Sequence, residues 1–440
     1  MNILIIVESY PPDPTIGSKR WFYISNELTQ KFNCNIEIVA ATNLDSSSIV
    51  VNPKLCLHRV KLPNSLYGRA KSIFSYKTKV DNATSMVQSV MIKKPISEFR
   101  KGFQGLLKSI LRKVIFNFDW PDRSWDWSSN IIQYLKLKDK MIAGKFDLVI
   151  GSTPCIGAVV AAERLAQLYS VPWIADFRDP FAWFYDLPIK ENGYLHRKLI
   201  SVESKLLDSA ARVLCVNEEL GEYIKVNKEK LEIVPNCAPM DESVVLAERK
   251  RKSSVSDALR IAYAGSYNET YLLSPILEAI SVLRSKGIKI EFNYLGLHGQ
   301  RIASDCAKHG INDLLVDHGY KSQAIVSDFL NKVDVVIVCS TTGRASDCVV
   351  TGKIFECMTY NTAIVIVGHQ GSVSLKKLVD VTGLGEFVSN SEAGVIALSR
   401  IINGDGSNCK MEALGFSSVA ISEKVFHILE EVRFSESRSS

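Results

Sequence analysis

Short runs of β-branched and aliphatic residues alternate, along nearly the whole chain, with longer stretches whose apolar positions recur every three or four residues. Repetition of that pair predicts βαβ units, hence an α/β protein of parallel sheets covered by helices. In the first half the strands fall near Asn2–Val7, Asn35–Ala41, Phe146–Gly151, Pro172–Phe177, Arg212–Val216 and Glu232–Val234. In the second they fall at Leu259–Gly265, Lys289–Leu295, Leu314–Val316, Asp334–Ser340, Ala363–Val367 and near Glu386–Val388. Between the two sets SVVLAERKRKSSVSDA is charged, serine-rich and without strand period, and predicts a linker. The expected division is a first Rossmann-like domain over 1–236, a linker over 237–257 and a second such domain over 258–415. A terminal helix and tail over 416–440 are expected to pack back toward the first domain. Ligands of open parallel sheets bind beyond the carboxyl ends of the strands, so the cleft between the domains is the expected site.

Composition agrees with two cores: 440 residues exceed one ordinary domain, and 46% hydrophobic with 23% charged residues describes a globular protein. No apolar run reaches the roughly 18 to 20 residues that span a bilayer, and the first strand runs into Glu8 and prolines rather than a cleavage site. A cytoplasmic protein is expected. The ten cysteines include no CxxC pair and lie partly inside strand-like runs, which predicts buried thiols rather than zinc or a disulfide framework. The net charge of +6 is uneven. Within about 66–118, eleven Lys or Arg face only Asp81 and Glu98, and FRKGFQGLLKSILRKVIFNF interleaves the cations with aromatic and aliphatic residues. That composition suits a helix lying on an anionic membrane surface, and it equally suits a helical insertion whose apolar stripe packs on its own domain. No nucleic-acid-binding motif accompanies the charge.

Three strand exits carry candidate chemistry. After DVVIVCS (Asp334 to Ser340) a polar loop ends in Thr351-Gly352-Lys353 at a helix start, offering backbone N–H groups and an ammonium to an anion. Glu356 follows one turn later, where a carboxylate can accept from ribose hydroxyls. Ile354, Phe355 and Met358 also have core spacing, so an ordinary amphipathic helix with Glu356 in solvent fits this segment as well. After the first strand, ESYPPDPTIGSKR holds three prolines, then Gly17 and Ser18 introduce a helix whose first turn carries Lys19 and Arg20. The helix dipole disfavours cations there unless an anion arrives. In VPWIADFRDPFAWF, Asp176, Arg178 and Asp179 leave the fourth strand as catalytic residues or as an internal ion pair. GSTP (Gly151 to Pro154) borders the same cleft, with Ser152 or Thr153 placed to cap the helix that follows. Neither half has GxGxxG after its first strand, which argues against a dinucleotide-dependent redox enzyme.

Taken together, the Gly17 loop, the DFRDP exit, the upstream WPDRSWDW (Trp120 to Trp127), the VPN turn (Val234 to Asn236) and TGKIFECM resemble glycosyltransferase family 4, of the GT-B fold. Among its members, bacterial surface-polysaccharide enzymes are the most similar. The resemblance spans Met1 to about Phe434. It implies a retaining transfer of a sugar from a nucleotide-sugar donor to a hydroxyl of a lipid-linked or oligosaccharide acceptor, such as those of lipopolysaccharide synthesis, at the inner face of the plasma membrane. It implies that Glu356 binds the donor ribose and that Gly352 and Lys353 lie at the diphosphate. Gly17, Ser18 and Arg20 would close from the first domain, with Gly265 and Tyr267 on the loop after the first strand of the second. Asp179 and Arg178 would meet the transferred sugar, and Asp179, Lys353 and Arg178 are the residues to which catalysis is carried over.

Two departures from the family stand out. Cys348 occupies the position, eight before Glu356, where relatives often carry a sugar-binding Glu, and GSYNETY (Gly265 to Tyr271) lacks their diphosphate-binding cations. Lys353, with Arg344 or Lys321, would have to supply that charge. There is no Asp-x-Asp pair, so no metal and no cofactor beyond the donor substrate is expected. The rivals are a nucleotide-sugar epimerase or hydrolase of the same fold, and an inactive relative serving as a scaffold.

Overall fold

The computed structural model describes the chain except residues 14–15, 64–125, 139–143, 181–192, 251, 255–256, 269, 343–346, 406–408 and 438–440. The basic segment about 66–118 and Arg344 therefore lie outside the described residues.

The first half forms an eight-stranded sheet, in order β3-β4-β2-β1-β5-β6-β7-β8. Its strands are β1 (Asn2–Val7), β2 (Asn35–Thr42), β3 (Ser47–Asn52), β4 (Leu55–Lys61), β5 (Leu148–Ser152), β6 (Trp173–Phe177), β7 (Arg212–Cys215) and β8 (Leu231–Ile233). The second half forms a six-stranded sheet, in order β11-β10-β9-β12-β13-β14. Here the strands are β9 (Leu259–Ala264), β10 (Ile290–Leu295), β11 (Leu315–Asp317), β12 (Val335–Cys339), β13 (Ala363–Val367) and β14 (Glu386–Val388). All these pairings are parallel except β3 with β4.

The β3–β4 hairpin is the element absent from the sequence expectation. β3 is exposed at every position but the last, so no buried face imposes a period of two. β4 hides polar residues inside: His58 is buried, held by Glu37 at 3.0 Å and Tyr134 at 3.4 Å.

Alternation explains why both faces of each sheet are dry. In β1, Leu4 and Ile6 pack into one layer with Trp127, Ile131 and the helix Ile156–Tyr169. Ile3, Ile5 and Val7 point the other way, toward Trp21, Ile24 and Leu28 of the helix Lys19–Lys31. The same layer contains Ile421, Val425, Ile428, Leu429 and Val432 of the last helix, Ser418–Ser437, so the chain end completes the core of the first half. In the second sheet Tyr263, Ile337 and Val365 face the helices Ser274–Ser285 and Ser391–Ile402, and Ala262, Val338 and Ile366 face Ile354, Phe355 and Leu375.

The segment between the sheets is strapped down rather than loose. Asp241 caps the short helix Glu242–Leu246 by accepting from Val244 N at 3.1 Å. Asp334, fully buried, accepts from the backbone of Lys252, Ser253 and Arg260 at 2.7 to 2.8 Å, and these bonds hold its carboxyl below the ordinary range despite burial.

Candidate active site

Among the parallel strands of each sheet the order reverses once, between β1 and β5 and between β9 and β12, and the carboxyl ends at those two points face each other. Between them lies a cavity of about 710 Å³. Its first-half wall comes from the exits of β1 (Glu8, Ser9, Gly17), β5 (Pro154) and β6 (Arg178, Asp179), with Lys19 and Tyr23 one helical turn apart. Its second-half wall comes from Tyr271, Ser340 and Thr341, then Val349 through Gly352, then Glu356 and Tyr360.

Lys19 and Arg20 separate because consecutive helical residues point about 100° apart. Arg20 turns inward and is buried. It donates to Asp176 at 2.9 and 3.3 Å, to Val234 O at 2.9 Å, to Pro235 O at 2.7 Å and to Asn236 Oδ1 at 3.4 Å. Asp176, also buried, further accepts from Trp21 Nε1 at 2.8 Å and Ser152 Oγ at 2.7 Å. Arg20, expected at the donor, borders the cavity while its guanidinium joins β6, the VPN turn and the first helix, and its N-terminal position is offset by this carboxylate. Lys19 turns into the cavity and meets Glu356 Oε1 at 3.2 Å across the cleft. Glu356 also accepts from Tyr360 Oη at 2.9 Å and from Gln323.

The other expected residues divide the same way. Gly17 lines the cavity, and a Cβ there would come within 2.9 Å of Arg178 Nη1, which donates to Gly17 O at 2.7 Å. Arg178 also donates through Nε to Thr153 O at 2.7 Å. Ser18 is buried and its Oγ donates to Asp13 O, so it braces the proline loop. Ser152 and Thr153 do not cap the following helix, whose first position is preceded by Cys155 without a side-chain bond. They are spent on Asp176 and on the backbone of Arg178 and Asp179.

Asp179 lines the cavity. Among the described residues no donor lies within hydrogen-bond distance of its carboxylate, and burial pushes its pKa up against the opposing Arg178 charge.

At the second-half wall the helix expected after Gly352 is short, Gly352–Cys357, and Thr351 Oγ1 accepts from Lys353 N at 3.4 Å. Gly352 lines the cavity, but the Lys353 ammonium is not among the lining groups. It sits 5.6 Å from the Tyr263 ring centroid and directly beneath Gly265, where a Cβ would come within 2.6 Å of Nζ. Burial lowers its pKa, opposed by neighbouring Cys357 and Glu356. Gly265, at φ +134°, is shaped to shelter this lysine. Tyr267 turns into the core, donating to Asp305 Oδ2 at 2.6 Å, and Lys321 is exposed outside the cavity. Cys348 is buried against the first-half core, and its carbonyl accepts from Asn217 Nδ2 at 2.8 Å.

Lys19, Arg20 and Tyr23 all border the cavity; of these the sequence reading does not single out Tyr23, whose i, i+4 spacing from Lys19 is the available signal. Gln323 carried none, because it reaches Glu356 only through the fold.

No protein-family model matches the chain, and no curated protein matches it in sequence. Solved structures do match in fold. Anabaena HepE, in complex with UDP and glucose, superposes with a TM-score of 0.57 over 98% of this chain and 100% of its own, at 11% identity. The lipopolysaccharide outer core galactosyltransferase WaaB, apo form, gives 0.53 over 99% and 100%, at 12% identity. A candidate UDP-N-acetylglucosamine 2-epimerase from Listeria monocytogenes gives 0.51 over 99% and 97%, at 10% identity. The chain has the GT-B fold, two Rossmann-like domains facing across a cleft.

Proposed function

We propose that the chain is a retaining glycosyltransferase that moves a sugar from a nucleotide-sugar donor to a hydroxyl of a lipid-linked or oligosaccharide acceptor in surface-polysaccharide synthesis. The observation that carries the reading is one cavity with Glu356 on one wall and Asp179 with Arg178 on the other, at the facing strand ends of both sheets. The structural likeness to HepE, whose structure holds UDP and glucose, and to the galactosyltransferase WaaB supports it.

On this reading the nucleoside ribose displaces Lys19 from Glu356, whose carboxylate accepts from its hydroxyls. The freed Lys19 and the Arg178 guanidinium then face the diphosphate from the first half, with Gly352 N–H on the opposite wall and Lys353 behind it. Such donors stabilise the charge that grows on the leaving oxygens as the anomeric bond breaks. In a retaining reaction the acceptor attacks the face the leaving group vacates, and the departing phosphate takes the acceptor proton. Asp179 positions the sugar rather than acting as base. No metal takes part, so chelators leave turnover unchanged.

Thermal unfolding with uridine, thymidine and guanosine diphosphates tests the reading, since a ligand of the native state raises the melting temperature. At least one should stabilise the wild type, and Glu356→Ala should abolish that shift; no shift from any of them overturns the reading. The Listeria structure gives an epimerase on the same fold as the second reading. Incubating donor without acceptor separates the two, because an epimerase converts the sugar unaided whereas a transferase only hydrolyses it slowly.

A further inference from the structure

We propose that the cavity accepts 2′-deoxyribonucleotide donors, of the thymidine diphosphate-sugar class, as readily as ribonucleotide donors, because one oxygen of the Glu356 carboxylate is already taken by the protein itself. The inference rests on the transfer reading and names the class of donor nucleotide for the same site.

A carboxylate offers about four lone-pair sites, two on each oxygen. Those of Glu356 are used unequally. The Lys19 ammonium at 3.2 Å, Tyr360 Oη at 2.9 Å and the Gln323 side-chain amide all reach Oε1. Tyr360 is fixed in this role. It is buried, and the Ser327 hydroxyl lies 3.3 Å from its Oη. Burial and the neighbouring carboxylate raise its pKa, so the phenol keeps the proton it donates. Gln323 opens the helix Gln323–Leu330 and lines the cavity with Glu356. Oε2, by contrast, receives no donor among the described residues. Nor is it one of the buried side-chain atoms left without a partner, so it stays open to water on the cavity wall.

The donors on Oε1 differ in where they come from. Lys19 stands on the first half of the chain and leaves as the pentose enters, whereas Tyr360 and Gln323 belong to the same half as Glu356 and remain. Those two alone fill the sites of Oε1. A carboxylate reads the vicinal hydroxyls of a ribose by taking one on each oxygen. Here one hydroxyl finds Oε2, and the other finds its oxygen occupied and stays in water. Deleting that second hydroxyl takes no bond from Glu356. Deleting both removes a hydrogen bond to a charged group, which costs about 10- to 100-fold in affinity.

The test titrates the full-length protein by calorimetry with ribo, 2′-deoxy and 2′,3′-dideoxy nucleoside diphosphates in uracil, thymine and guanine series. In at least one series the 2′-deoxy form should bind within about threefold of its ribo parent, and the dideoxy form about 10- to 100-fold more weakly. Tyr360→Phe combined with Gln323→Ala empties Oε1, and in that variant the ribo form should gain about tenfold over the 2′-deoxy form. The wild-type series decide the matter even if the variant does not fold. A 2′-deoxy form weaker by more than about threefold in every series that binds overturns the inference and leaves the transfer reading standing. A dideoxy form as tight as its parent does the same, since no pentose hydroxyl would then meet Glu356. A folded variant whose ratio stays near one also overturns the inference, by showing that the occupancy of Oε1 does not set it. If no nucleotide binds, the inference and the transfer reading are both overturned.

Discussion

Asp179 shows how a single side chain can be set against the stability of its own fold. Burial raises its pKa, so the folded protein prefers the neutral acid, and ionisation above the unfolded value of about 3.9 withdraws stability as pH rises. Asp179→Asn keeps the shape and removes the charge. It should raise the melting temperature at pH 7, lose that advantage below about pH 3 where both states are protonated, and lower turnover on the order of 100-fold through misplaced substrate. Melting curves at the two pH values with a kcat measurement check this; equal gains at both would show that the carboxylate is not strained. Nothing in DFRDP distinguishes Asp176 from Asp179 as text. They differ because the side chain of Asp176, within β6, turns into the core to meet Arg20 and Trp21, whereas Asp179 lies past the strand end and borders the cavity.

At the scale of the element, the helix Gly352–Cys357 is too short to hold itself and depends on what grips its ends. Arg249 does this at the carboxyl end. It is wholly buried and donates to Met358 O at 2.8 Å and Tyr360 O at 3.0 Å, with Val244 O and Ala247 O at 3.3 and 3.4 Å. No carboxylate joins it among the described residues. A cation placed there also complements the helix dipole. Arg249→Met leaves those carbonyls without a donor and should destabilise the protein by about 3 kcal/mol in urea unfolding. Nucleotide dissociation constants should rise on the order of tenfold, with Glu356 intact, and Arg249→Lys should restore part of the loss. An unchanged affinity would detach this arginine from the site. In the sequence Arg249 belongs to a run of linker charges, and its partners about one hundred residues away cannot be read from its neighbours. The strand pattern was legible for the opposite reason: in β1, β9 and β12 the apolar run itself records burial on both faces.

For the whole molecule, the cleft is crossed by contacts that pair residues far apart in the chain: Lys19 with Glu356, Glu219 with Lys377, and Asn217 with the Cys348 carbonyl. Two of these are ion pairs and are therefore screened by salt. The wild type should expand slightly in small-angle scattering as salt is raised, while Lys19→Met should be expanded already at low salt and should bind nucleotide more weakly. Identical scattering curves for the two proteins would show that Lys19 does not hold the halves together. The two-domain plan was visible in the sequence because the strand rhythm stops at Ile233 and resumes at Leu259. The pairing across the cleft was not, since it depends on which face of each helix the fold turns inward, as Lys19 and Arg20 demonstrate.

The last helix has a consequence for how the molecule comes into being. Ile421, Val425, Ile428, Leu429 and Val432 seal the layer that Ile3, Ile5, Trp21 and Ile24 open, and at roughly 2 kcal/mol apiece their burial rivals the entire margin by which a domain stays folded. During translation that layer stays only half covered, by Trp21, Ile24 and Leu28, until residues 418–437 have followed the whole second sheet out of the ribosome.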